Sequence, residues 1–211
     1  MKTISVFGAS GLTGKLVIKL ALNRGLGVNG FYRTTSDLDI KNNKFFPIES
    51  SFDNISNIEK AIRGTIGTIV TFGPVAPNQD IFCSEATENI IKGMKNVGAK
   101  RIIVVTGALI GEGYQNRCLD MNLFRKYLIR KSPDLIKDRD EQERKVSDSN
   151  LGWTIIKPPR LINIPARGRY KFGEKIKVSM LSRIGREDLA ELLLDNIYSS
   201  DTVRKILFIK Y

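Results

Sequence analysis

The chain has 211 residues, 42% hydrophobic and 27% charged, which is enough for one domain with a core that needs no disulfide or metal staple. It contains no histidine and only Cys83 and Cys118, which excludes Ser-His-Asp and Cys-His nucleophiles, imidazole-based zinc sites and a disulfide framework. The formal charge of +12 is compatible with nucleic acid, membrane surfaces and anionic small molecules alike.

Strand and helix patterns alternate along the chain. Lys2–Phe7 reads as a strand that begins almost at the first residue. Without signal-peptide regions or a membrane-length apolar run, a cytoplasmic location is expected. Leu12–Arg24 is a helix by the spacing of Leu12, Leu16, Lys19, Leu20 and Asn23, with Gly25 as its stop. Val28–Arg33 and Lys44–Ile48 follow as strands, and Pro47 gives the latter an imperfect or edge position. Asn57–Arg63 is a short helix and Thr65–Phe72 a strand buried on both faces. Gln79–Val97 is a helix, and Arg101–Thr106 another buried strand. Helices are expected over Asp120–Lys131 and over Leu135–Ser147, with Asp134 at the start of the second and a solvated charged face carrying pairs such as Asp140–Arg144. Trp153–Lys157 is a strand stopped by Pro158-Pro159. Arg169–Val178 reads as a hairpin around Gly173, Glu187–Tyr198 as a helix and Ile206–Lys210 as the last strand. Such alternation predicts an α/β, Rossmann-type, doubly wound parallel sheet with helices on both faces. One domain is expected over 1–211.

Gly8-Ala9-Ser10-Gly11-Leu12-Thr13-Gly14 joins the first strand to the first helix. Gly8 permits the tight turn, Gly11 lets a pyrophosphate come close, and Gly14 lets helix and strand pack; the helix-start amides then face the anion. At the end of the second strand, where a carboxylate would hold a ribose 2′-hydroxyl, stand Arg33, Thr34 and Thr35, and Asp37 comes late. Arg33 either pairs with a 2′-phosphate, with a threonine hydroxyl adding to it, or is a solvated surface side chain. The first reading makes the cofactor NADP rather than NAD.

With these motifs in hand, the chain resembles the atypical short-chain dehydrogenase/reductase group, in particular NmrA-like and flavin or biliverdin-IXβ-reductase-like proteins. The likeness covers nearly the whole chain, and it implies that residues 157–186 form a small substrate-side lobe. It rests on the Gly8–Gly14 loop, on the strand ending Ile102–Gly107, and on two later stretches. Asn150–Pro159 is similar to the family's S-x-L-x-W-T-I-x-R-P segment, with Lys157 for Arg. Ile184–Ala190 is similar to I-S-R-x-D-L-A, with Gly185 for Ser. The resemblance implies cofactor contacts from Gly8, Ser10, Gly11, Leu12, Thr13, Gly14, Arg33, Thr34 and Asp53. It implies further contacts from Phe72, Gly73, Pro74, Thr106, Lys157 and Pro158, the last near the nicotinamide. Where the family often pairs two hydroxyls, Thr106 is followed by Gly107. Thr106 is therefore the one catalytic hydroxyl to name, and water could equally supply the proton. Tyr127 and Lys131 have the Tyr-x-x-x-Lys spacing of the wider superfamily, but lie too far before Pro158 and read as an accident of an amphipathic helix.

Three functions remain open. The first is NADPH-dependent hydride transfer to a small acceptor. The second is an NADP sensor or scaffold without turnover. The third is nucleic-acid binding, disfavoured because the basic stretch carries aromatics only at Tyr170 and Phe172. Between Lys157 and Arg186 the cations are Lys157, Arg160, Arg167, Arg169, Lys171, Lys175, Lys177, Arg183 and Arg186, against Glu174 alone, which marks either a site for an anionic substrate or partner or a solvated basic surface. No metal or membrane role is expected, and the sequence leaves the oligomeric state open.

Overall fold

In a computed structural model, describing residues 1–33, 38, 40–74 and 81–211, the strands form an eight-stranded sheet and a separate two-stranded one. The elements run β1 Thr3–Phe7, α1 Leu12–Asn23, β2 Gly27–Tyr32, β3 Phe45–Glu49, α2 Ile55–Ile62, β4 Thr68–Val70, α3 Cys83–Asn96 and β5 Arg101–Val105. They continue with α4 Leu119–Lys131, α5 Pro133–Ser147, β6 Gly152–Lys157, β7 Arg160–Ile162, β8 Lys171–Gly173, β9 Arg183–Gly185, α6 Arg186–Tyr198 and β10 Lys205–Lys210. The large sheet has the order β3-β2-β1-β4-β5-β6-β10-β8 and is parallel throughout except for β8, which runs antiparallel to β10. Strand order reverses between β1 and β4, the place where open α/β sheets leave a crevice at their carboxyl ends. Pro47 sits on edge strand β3, where a missing N–H costs no ladder bond.

The continuous apolar runs are explained by burial on both sides. In β5, Ile103 and Val105 pack with α1 and α6 residues such as Val17, Ile18 and Leu193. Ile102 and Val104 pack on the other face with Ile58, Ile90 and Met94 of α2 and α3. Each buried aliphatic side chain contributes roughly 1.5–3 kcal/mol.

Several local expectations are corrected. The buried face of α1 is Thr13, Gly14, Val17, Ile18 and Ala21, whereas Leu12 is exposed. Gly14 on that face lies against the β1 turn and fixes the helix rotation. Helix α2 begins two residues early because Asn54 accepts the Asn57 N–H at 3.1 Å. Helix α3 begins at Cys83, and the expected Gln79 and Asp80 lie outside the described residues. The strand expected over Thr65–Phe72 is formally short, yet the Thr71 N–H still donates to Phe7 O at 2.9 Å, so pairing continues past its end. The expected hairpin around Gly173 is not one. Lys171–Gly173 pairs instead with β10, whose outer edge would otherwise be bare, and residues 174–178 run on to lie along Asn116.

The largest correction concerns α5. Asp138, Arg139, Gln142 and Glu143 are buried, not solvated. Asp138 accepts the Cys83 and Ser84 N–H groups at 2.9 and 2.8 Å and so caps α3 at the positive end of its dipole. Arg144 pairs with Glu141 and Asp148, while Asp140 pairs with Arg125 at 2.5 Å.

Candidate dinucleotide groove and the cavity beside it

The turn off β1 is set by Gly8, whose φ of +86° suits glycine. A Cβ on Gly14 would stand 2.1 Å from Gly8 O, so this position admits no side chain. A Cβ on Gly11 would meet only Gly8 O, at 3.3 Å. Gly11 therefore keeps space open on the groove side rather than within the protein. It is also the N-cap of α1, with no side-chain cap and no acid in the first turn. The helix-start amides and the dipole are thus left to an external anion.

The groove above this turn encloses about 670 Å³. Gly8, Ser10, Gly11, Leu12 and Thr13 form its floor, and Arg33, Phe72, Gly73 and Pro74 are among its walls. Phe52 lines it while the neighbouring Asp53 is exposed and does not. Thr34, Thr35 and Asp37 lie outside the described residues. The Arg33 guanidinium lies 4.0 Å from the Phe82 ring centroid, and Phe52, Phe72 and Phe82 pack with centroids 4.9–5.9 Å apart. An aromatic wall beside a cation suits a flat purine next to phosphate. Phe52, Phe82 and Arg186 were not singled out by sequence reasoning. Arg186 was legible only as part of the Ile184–Ala190 stretch and as one of the nine cations between Lys157 and Arg186.

A second cavity, of about 640 Å³, adjoins the groove and shares Thr13, Thr71, Phe72, Gly73, Pro74 and Leu161 with it. Its other walls include Leu109 and Ile110 after β5, Phe124 and Leu128 of α4, and Met180. Thr106 and Pro158, the pair expected on the nicotinamide side, both line this cavity and not the groove. Arg139 reaches the same cavity from α5. Its guanidinium donates to Phe72 O, Val105 O and Thr106 O at 3.3, 3.3 and 2.7 Å, tying together the ends of β4 and β5.

Lys157, expected at the cofactor, is corrected. Its side chain is fully buried and lines neither cavity. Its ammonium donates to Ile110 O, to Glu112 O at 2.7 Å and to Glu143 Oε2 at 2.9 Å. Glu143 Oε1 in turn accepts the Thr106 hydroxyl at 2.6 Å. Burial pushes the Glu143 carboxyl up and the Lys157 ammonium down, each opposed by the other's charge. With its proton directed at Glu143, the Thr106 hydroxyl has lone pairs left to accept a hydrogen bond from a group in the cavity.

The basic stretch is dispersed. Of its nine cations, Arg160 lines the cavity and Arg186 the groove; Arg167 stacks over the Tyr211 ring at 4.5 Å. Arg169, Lys171, Lys175, Lys177 and Arg183 are exposed. Tyr127 is 55% exposed and lies outside the cavity lining.

The crevice at the strand reversal and the open, uncapped glycine turn define a Rossmann-type nucleotide-binding protein. Residues 8–199 match the NAD(P)H-binding family model, and the chain belongs to that family. It is 22% identical, over 98% of its own length and 75% of the relative's, to an uncharacterized chloroplastic protein of Arabidopsis thaliana. A Veillonella parvula short-chain dehydrogenase/reductase, solved in complex with NADP, superposes with a TM-score of 0.78 at 18% identity, covering 100% of this chain and 94% of that one. The anaerobillin reductase ChuY of Escherichia coli O157:H7 gives 0.79 at 17% identity, covering 99% and 96%. At these identities the likeness establishes the fold. No helix among the described residues is long and apolar enough to cross a membrane.

Proposed function

We propose that the protein is a cytoplasmic NADPH-dependent oxidoreductase acting on a small anionic acceptor held in the apolar cavity. The observation that carries this reading is the shared wall: one set of residues, Thr13, Thr71 to Pro74 and Leu161, borders both the groove and the cavity. When bound, the dinucleotide supplies a hydride. The chain's own residues position and exclude water: Gly8 to Gly14 receive the pyrophosphate, Arg33 the 2′-phosphate, and Pro158 and Thr106 the nicotinamide side. The preference for an anion is supported by two cations in the cavity lining, the buried Arg139 and the exposed Arg160. Carboxylated or phosphorylated acceptors, such as a flavin phosphate or a tetrapyrrole acid, fit an apolar space with a cationic rim. The test is steady-state NADPH oxidation against paired anionic and neutral acceptors at low and high salt. A preference for the anion that fades with salt supports the reading.

A second reading, an NADP sensor without turnover, is favoured by one feature. The ionisable residues lining the cavity, among those described, are Arg139 and Arg160, with no carboxyl, thiol, phenol or lysine beside them to serve as an acid. Tight NADPH binding with no oxidation by any acceptor would select it.

A further inference from the structure

Helix α4 carries apolar side chains on opposite faces. Met121, Phe124 and Leu128 turn inward and line the cavity. Leu119, Leu123 and Tyr127, spaced by four and hence on one stripe, turn outward and are 73%, 56% and 55% exposed. Leu181 is 90% exposed, and the adjacent Met180 N–H donates to Asp120 Oδ2 at 2.9 Å, so this turn is fastened to the start of the same helix. A contiguous exposed patch of this kind marks a binding surface.

Cations surround it. Lys126 and Arg130 fall on the outer stripe, seven and eleven positions after Leu119, and both are exposed. Lys175 and Lys177 belong to the segment whose carbonyls, those of Glu174 and Ile176, accept from Asn116 just before the helix. The nearby acids are spoken for or outnumbered: Asp120 accepts two backbone amides, and Glu174 pairs with Lys205 at 3.5 Å.

We propose that this face docks on an anionic lipid surface, with Leu119, Leu123, Tyr127 and Leu181 entering the interface and the lysines and arginines meeting the headgroups. The charge selects the occupant. A second copy would bring two basic rims together, and a nucleic acid has no use for protruding leucines. An interfacial helix with aliphatic and aromatic residues ringed by Lys and Arg is what a charged bilayer surface takes. Met180 lines the cavity and is itself exposed on this face, so the docked protein would present the cavity wall to the lipid.

The test is co-sedimentation of the full chain with vesicles of phosphatidylglycerol and phosphatidylcholine in equal parts, against phosphatidylcholine alone. Binding to the first and not the second, reduced at high salt, is expected. Leu123→Glu and the pair Lys126→Glu with Arg130→Glu each lower the partition coefficient by about tenfold or more, whereas Lys60→Glu on α2 leaves it unchanged. Unaltered NADPH affinity in these surface variants separates loss of docking from loss of fold. Equal binding to neutral vesicles, no binding to either, or a dimer in light scattering that Leu123→Glu splits while vesicle binding persists would each overturn the proposal.

Discussion

Glu143 and Lys157 face each other at 2.9 Å from α5 and β6, almost wholly removed from solvent. A charge in such a place is tolerable only while its partner is present. Lys157→Met should therefore cost roughly 3–5 kcal/mol at pH 8. The cost should shrink toward acid. Burial has already raised the Glu143 carboxyl above its ordinary 4.5, and removing the ammonium raises it further. The folded variant then holds a proton that the unfolded chain releases, so its stability falls as pH rises from about 4.5 through the raised value. Urea unfolding of both proteins at pH 5 and pH 8 measures the difference. An equal penalty at both values would mean that the carboxylate does not depend on Lys157.

Gly11 and Gly14 should separate binding from folding. Gly11→Val abolishes NADPH binding in calorimetric titration with little change in Tm, because its side chain would project into the groove. Gly14→Ala lowers Tm, since a Cβ there would stand 2.1 Å from Gly8 O.

Arg33→Ala should weaken NADPH by about 1.5–3 kcal/mol, the value of a charge-assisted phosphate contact, and leave NADH nearly untouched. Because Arg33 also packs on Phe82, equal losses for the two cofactors would assign it to the aromatic wall instead.

Tyr127→Phe should leave any reductase turnover in solution within a few-fold of the parent, since that hydroxyl is outside the cavity. Thr106→Val, which removes the hydroxyl bonded to Glu143, should reduce kcat by more than KM changes. A loss on the order of 10²–10⁴-fold on Tyr127→Phe would reinstate Tyr127 as the acid.

The sequence made the parallel sheet, the edge position of Pro47 and the glycine turn readable because each depends on local chemistry. The alternation of strand and helix patterns, the missing N–H of a proline and the missing Cβ of a glycine can all be read from the order of residues along the chain. What it hid was tertiary. The Asp138–Arg144 run has the composition of a solvated helix, yet three of its polar groups serve distant partners: the α3 amides, the β4 and β5 carbonyls, and Lys157. Periodicity cannot distinguish a charged residue that meets water from one that meets a buried partner. For the same reason Lys157, in the position of a family arginine, read as a cofactor contact when its charge turns inward.

Strands β7 and β9 pair in parallel although some twenty residues separate them, and the chain between carries β8 onto the β10 edge of the large sheet before it returns. Buried Asp188 fastens the outgoing limb by accepting the Arg167 and Gly168 amides at 3.0 and 2.8 Å. The excursion is thus tied at its root and again at β10. Doubling its length would add only about 0.6 kcal/mol of closure cost, and nothing in the nucleotide turn would have to move. Descendants of this chain could lengthen or reshape this excursion while inheriting the nucleotide turn unchanged.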